Sequence, residues 1–142
     1  MPLVLYPGNR LQELFPHLSA VPVEWDAPIA PCPGGPKAPL CWQPPVGVFE
    51  TASALIVQAE VAGAREEDVR VLVLQDAVIL EGQRTPDHHA ILEPLFHRAT
   101  IRYGPFRLVV PVPTRVSVEE AILRYERGFL LLMLPKTGEI VS

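Results

Sequence analysis

Between residues 121 and 135 the chain reads A-I-L-R-Y-E-R-G-F-L-L-L-M-L-P. Ala121, Leu123 and Tyr125 alternate with Ile122, Arg124 and Glu126. Ile122 apart, this is a period of two, the pattern of a strand with one solvated face. Glu126-Arg127-Gly128 predicts a reversal, because glycine reaches φ > 0 without steric penalty. Residues 129–134 are then apolar without a break. A run that short and continuous predicts a strand covered on both faces. Pro135 ends it, since proline cannot donate to a sheet ladder.

The same texture extends back to residue 46. Residues 46–50 form a candidate first strand. Over 55–61, Leu55, Val57, Ala59 and Val61 share one face, with Gln58 and Glu60 on the other. Ala62-Gly63 breaks this strand, and Arg65-Glu66-Glu67-Asp68 is a charged turn. Strands follow over 69–75 and 77–84, reversing near Asp76. Another covers 106–110, stopped by Pro111 and Pro113. These strands, the closing hairpin and the lack of a long helical pattern predict an all-β sandwich.

Residues 1–45 differ: they hold eleven of the seventeen prolines and five charged residues. Such a composition resists regular structure. One short helix is expected, with Asn9 as N-cap, Gln12 at N3, Leu11, Leu14 and Phe15 on one side, and Pro16 closing it. A helix so short is marginal alone and needs a surface on which to bury Leu11, Leu14, Phe15 and Leu18. Residues 19–43 are expected to be extended or disordered. Trp25 and Trp42 within them suggest a sticky segment rather than an inert linker. The organisation expected is a flexible Pro-rich arm over 1–43, a β-domain over 44–136 and a short tail over 137–142.

Composition narrows the function classes. Apolar residues make up 49% of the 142, which excludes a disordered chain. No apolar run approaches a membrane span, and the N-terminus lacks the basic-then-apolar order of a signal peptide, so a cytoplasmic location and no membrane partner are expected. The net charge of −4 argues against a nucleic-acid partner. Cys32 and Cys41 are expected to be plain thiols, with no further ligands nearby for zinc. Gly34-Gly35-Pro36-Lys37 lacks the spacing of a phosphate loop. His89, Glu93 and His97 are spaced four apart, but Pro94 breaks the helix that would align them, so they read as solvated loop residues. Neither a cofactor, a metal nor an enzymatic activity is expected.

The residues L-R-Y-E-R-G-F-L at 123–130 and L-P-K at 134–136 resemble the closing hairpin of the α-crystallin domain of small heat-shock proteins. Gly128 and Leu130 match that family's pattern; Leu123 replaces an alanine and Arg127 an asparagine. The resemblance continues through P-P-V-G-V-F-E-T at 44–51, L-I-V-Q-A-E-V-A-G at 55–63, E-E-D-V-R-V at 66–71, I-L-E-G-Q-R at 79–84 and Y-G-P-F at 103–106. Each motif alone is weak; their order over residues 44–136 is specific. Gly47 and Ala62 depart from the usual aspartate and proline. Leu108 stands where an arginine is usual, and Thr100-Ile101 where a Glu-Arg pair is frequent, so charges used at family dimer contacts are missing.

The resemblance implies an immunoglobulin-like antiparallel β-sandwich and an ATP-independent holdase that binds partly unfolded client proteins and suppresses their aggregation under stress. It implies that the long loop between Arg84 and Phe106 carries a strand exchanged with a neighbouring subunit. That makes a homodimer, and beyond it a larger homo-oligomer, with His89, Ile91, Leu92, Leu95 and Phe96 in the dimer loop. The arm would present Leu11, Leu14, Phe15, Trp25 and Trp42 to clients. A family groove would lie here between Val69 and Val71 on one strand and Ala121 and Leu123 on another. It normally takes an I-x-I or V-x-I tail, but Ile140 and Val141 are adjacent and point to opposite sides of an extended chain. Val21-Pro22-Val23 in the arm has the required spacing, with Leu3-Val4-Leu5 as a second candidate; a simple linker is an equal alternative for Val21 and Val23. Rival functions are a CS-domain-like co-chaperone adaptor with a specific folded partner, and a metal-dependent enzyme built on His88, His89 and His97.

Overall fold

The computed structural model describes residues 2–15, 29–31, 40–86 and 95–137. Two sheets face each other across one core. The first is wholly antiparallel, with β4 (Val46–Glu50), β5 (Ala54–Glu60), β10 (Phe129–Pro135) and β9 (Ile122–Glu126) in the spatial order β4-β5-β10-β9. The second contains β6 (Val69–Leu74), β7 (Ala77–Arg84) and β8 (Gly104–Pro111) as an antiparallel centre. Its edges come from the N-terminal residues: β1 (Leu3–Tyr6) pairs parallel to β6, and β3 (Leu40–Trp42) pairs parallel to β8. β2 (Ile29–Pro31) then pairs antiparallel to β3. The order is β1-β6-β7-β8-β3-β2.

The all-β sandwich read from the sequence is therefore the observed fold, and the predicted strands lie within a few residues of their expected ends. The arm differs from expectation. Residues 3–6 and 40–42 are strands of the sandwich, and the short helix α1 (Leu11–Leu14) is capped one residue later than expected. Arg10, not Asn9, is the N-cap; its N–H donates to Glu13 Oε2 at 3.2 Å. Asn9 instead offers its carbonyl to the Gln75 N–H at 3.0 Å.

The main core joins the inward residues of both sheets, including Leu55, Val57, Ala59, Val71, Val73, Phe106, Leu130, Leu132 and Leu134. Burial of this set drives the two layers together, each large aliphatic side chain contributing about 1.5–3 kcal/mol. The closing hairpin turns at Arg127 and Gly128, with φ of 53° and 83°. Two consecutive positive φ angles match the twist of a tight hairpin. A side chain at Gly128 is excluded, since its Cβ would lie 2.6 Å from the Ala62 Cβ. Gly82 is tighter still: a Cβ there would lie 2.3 Å from the Asp68 carbonyl oxygen and 2.7 Å from Phe106. Among the described residues no helix is long and apolar enough to cross a membrane.

Candidate functional site

β1 lies along the β6 edge with Leu3 opposite Val71 and Leu5 opposite Val73. Alternation sends Leu3 and Leu5 into the main core, beside Ala121, Leu123 and Tyr125. The four residues expected to line a groove are thus brought together: Val69 and Val71 are fully buried on β6, and Ala121 and Leu123 sit half-buried on the facing segment. The space beside them is occupied by Leu3 and Leu5 of the same chain. Val21 and Val23 lie outside the described residues. Backbone bonds fasten the strand, with the Val71 N–H donating to the Pro2 carbonyl at 3.1 Å.

The other face of β1 serves a second, smaller cluster. Val4 and Tyr6 pack with α1 on the outer face of the second sheet, where Leu11, Leu72, Leu74, Ala77 and Ile79 are buried and Leu14, Phe15 and Val109 half-buried. Leu11 is also tied by its N–H to Asp76 Oδ1 at 2.8 Å, in the β6–β7 turn. α1 therefore packs on its own domain, and Leu11 is not presented to solvent in this conformation. The reason is local: Leu72, Ile79 and Val109 form an apolar strip on a sheet face that otherwise meets water, and a single turn of helix with its C-cap, carrying Leu11, Leu14 and Phe15, covers it.

The opposite edge of this sheet is closed by β3. Trp42 is 4% exposed, its ring 5.1 Å from that of Phe106, and its Nε1–H donates to the Gly104 carbonyl at 3.2 Å. Arg84 stacks over the Trp42 ring at 4.3 Å and donates to the carbonyls of Arg102 and Ala62 at 2.8 and 3.0 Å. Arg84 is the buried charge of the described residues, satisfied by carbonyls and a π-face rather than by a carboxylate. Trp42, expected on a sticky segment, is a core residue. Trp25 lies outside the described residues.

Cys41 is disulfide-bonded, which corrects the expectation of plain thiols. The sequence has one other cysteine, Cys32, outside the described residues and next to Pro31, which pairs with Leu40. The pairing of β2 with β3 lies in a Pro/Gly-rich stretch where no alternation announced strands.

On the outer face, Glu81 stands between Arg70 and Arg107, ion-paired to both; the Arg107 Nη1 to Glu81 Oε2 distance is 3.2 Å. Burial lowers the Arg107 pKa, Glu81 opposes that shift, and the like charge of Arg70 adds to it. Leu108, at the family's usual arginine position, is buried in the core. The Tyr125 hydroxyl lies 2.8 Å from the Ala64 carbonyl and 3.2 Å from that of Val61, anchoring the turn after β5. Its pKa is raised, chiefly by burial and further by Glu66.

Of the dimer-loop residues, Leu95 is 83% exposed and Phe96 exposed, while His89, Ile91 and Leu92 lie outside the described residues. Among the described residues no three His, Cys, Asp or Glu side chains gather as a metal site; His88, His89 and Glu93 are not among them.

No family model matches the chain. It is 28% identical over 104 residues to the spore protein SP21 of Stigmatella aurantiaca, covering 73% of this chain and 61% of that one. It is also 28% identical over 91 residues to a 17.8 kDa class I heat shock protein of Arabidopsis thaliana, covering 63% and 57%. The match thus spans about three fifths of the length of these curated relatives. Among solved structures, HSP18.5 from E. histolytica superposes with a TM-score of 0.61 at 27% identity, over 71% of this chain and 94% of that one. In the order of its motifs and in its α-crystallin-type sandwich alike, the chain is similar to the small heat-shock proteins.

Proposed function

We propose that this chain is an ATP-independent holdase that covers the exposed apolar surface of partly unfolded proteins and so keeps them from meeting one another. The observation that carries the reading is the way the N-terminal residues close the sandwich. β1 and α1 cover one edge and one face of the second sheet, and β3 covers its other edge. Beneath them lie Leu72, Ile79 and Val109 and the β6 edge, surfaces suited to apolar chain segments. The heat-shock name of the Arabidopsis thaliana relative supports the same reading.

In this proposal Leu11, Leu14 and Phe15 serve clients when α1 lifts, and Leu3 and Leu5 occupy the β6 edge when it does not. Trp42 keeps a structural role. The loop after Arg84, with Leu95 and Phe96 exposed, mediates a strand-exchanged homodimer. The chain acts in the cytoplasm without nucleotide.

The test is light scattering of a heat-aggregating client, with no nucleotide added. Suppression at near-stoichiometric ratios is expected. Scattering as strong as that of the client alone, as for an adaptor that recognises one folded partner, overturns the proposal.

A further inference from the structure

The sequence pattern of residues 129–134 calls for a strand covered on both faces, yet β10 is covered on one. Leu130, Leu132 and Leu134 fill the core, while Phe129, Leu131 and Met133 face outward from the four-stranded sheet. The register aligns them with their neighbours. Met133 lies opposite Ile56 on one side and Ile122 on the other, and Ile56 lies opposite Phe49. An apolar row, Phe49–Ile56–Met133–Ile122, therefore crosses all four strands. Phe49, Ile122 and Phe129 are 47%, 48% and 45% exposed. An antiparallel sheet with a wet face normally alternates to polar residues there. At the end of the same face Phe129 lies opposite Glu60 on β5 and Glu126 on β9. Among the described residues neither carboxylate forms an ion pair.

We propose that this face is a docking surface for partly unfolded polypeptide segments that carry a lysine or arginine followed by large apolar residues two and four positions along. The proposal rests on the holdase reading and names the client chemistry. Charge complementarity selects the occupant. A cationic side chain over the Phe129 ring meets two carboxylates and a π-face at once. From there, Leu131 and Met133 follow about 7 and 14 Å along the strand, the spacing of every second side chain in an extended occupant. Arg124, opposite Leu131, is one row inward from Glu126 and disfavours a second cation there, so the basic end of the occupant is fixed at Phe129. Met133, unbranched and polarizable, adapts to differing apolar partners.

The experiment measures fluorescence anisotropy of the full chain with two labelled nine-residue peptides. One has lysine followed by leucines two and four residues on, and its twin has glutamate in place of lysine. The wild type is expected to bind the lysine peptide roughly five- to tenfold tighter than its twin. Glu60→Gln with Glu126→Gln should abolish that preference while leaving the binding that leucines provide. Met133→Ser with Ile122→Ser should weaken both peptides roughly tenfold. If that pair unfolds the chain, Phe49→Ser on the edge strand replaces it, with roughly threefold weakening expected. Unchanged binding and preference in these variants overturns the proposal. So does a fall in solution mass of the serine variants with peptide binding intact, because a second copy of the chain then covers the face. A wild type that shows the charge preference but fails to suppress client aggregation supports this surface and defeats the holdase reading. Suppression without any charge preference does the reverse.

Discussion

Replacing Leu3 and Leu5 with aspartate should release β1 from the sandwich while leaving the sandwich folded. Both leucines are half-buried against the main core, so each contributes about 0.75–1.5 kcal/mol, half the value of full burial. Ordering the four residues of β1 costs roughly 1–2 kcal/mol each. The ladder to β6 returns about 0.5–1.5 kcal/mol per hydrogen bond. Backbone terms alone thus do not hold the strand, and the leucines decide whether it stays. Aspartate removes their roughly 1.5–3 kcal/mol and adds charges that resist burial. Hydrogen exchange reads this directly. The Val71 N–H, bonded to the Pro2 carbonyl, and the Gln75 N–H, bonded to that of Asn9, should exchange about 10- to 150-fold faster in the variant. Amides between β7 and β8 should keep their protection, because their partners and the core beneath them are untouched. Unchanged protection at Val71 would refute the idea of a weakly held edge strand. Equal loss across β7 and β8 would show instead that β1 unfolds only with the whole domain.

Gly82→Ala should destabilise the domain by about 1–3 kcal/mol or more in urea unfolding, because the new methyl meets the Asp68 carbonyl and the Phe106 ring, neither of which can move freely. Tyr125→Phe should cost about 1 kcal/mol at neutral pH through the lost hydroxyl bonds to the turn after β5. Its pH dependence has a definite sign: the folded-state pKa is raised above the ordinary 10.0, so tyrosine's contribution is full below pH 10 and lost as pH rises through the folded value. The wild-type and Phe variant stabilities should therefore converge in alkali, as followed by urea midpoints. Removing residues 87–98 should yield monomers in sedimentation if the loop carries the exchanged strand; a dimer in that variant places the interface elsewhere.

The sandwich was legible because its strands carry their burial in their own alternation. Leu55, Val57, Ala59 and Val61 announce one inward face, and Gly128 marks the hairpin that φ of 83° confirms. The N-terminal strands carried no such mark. β1 is four apolar residues between prolines 2 and 7, and only the unpaired edge of β6 makes it a strand. Trp42 reads as a lone aromatic among prolines because its partners, Phe106 and Arg84, are distant in sequence. That Val69, Val71, Ala121 and Leu123 would lie near one another was expected through the family resemblance, while the packing of Leu3 and Leu5 beside them was named only as the second of two spacings. The helix cap shifted by one residue because the Asn9 carbonyl is engaged by the Gln75 N–H, a contact no local rule contains. The outward apolar row of the first sheet was half legible: the unbroken run at 129–134 showed that β10 wanted two covers, but Ile56, Ile122 and Phe49 joined it only through strand register.

Capture of unfolding proteins without turnover would leave a captured complex that can be recovered. The chain of residues 1–142 is heated with an aggregation-prone enzyme in the absence and presence of ATP, and the clarified mixture is separated by size. The enzyme should co-elute with this chain in a large soluble species, inactive, in amounts that ATP does not alter. Finding the enzyme in the pellet, with the chain eluting alone at its unheated mass, would contradict it.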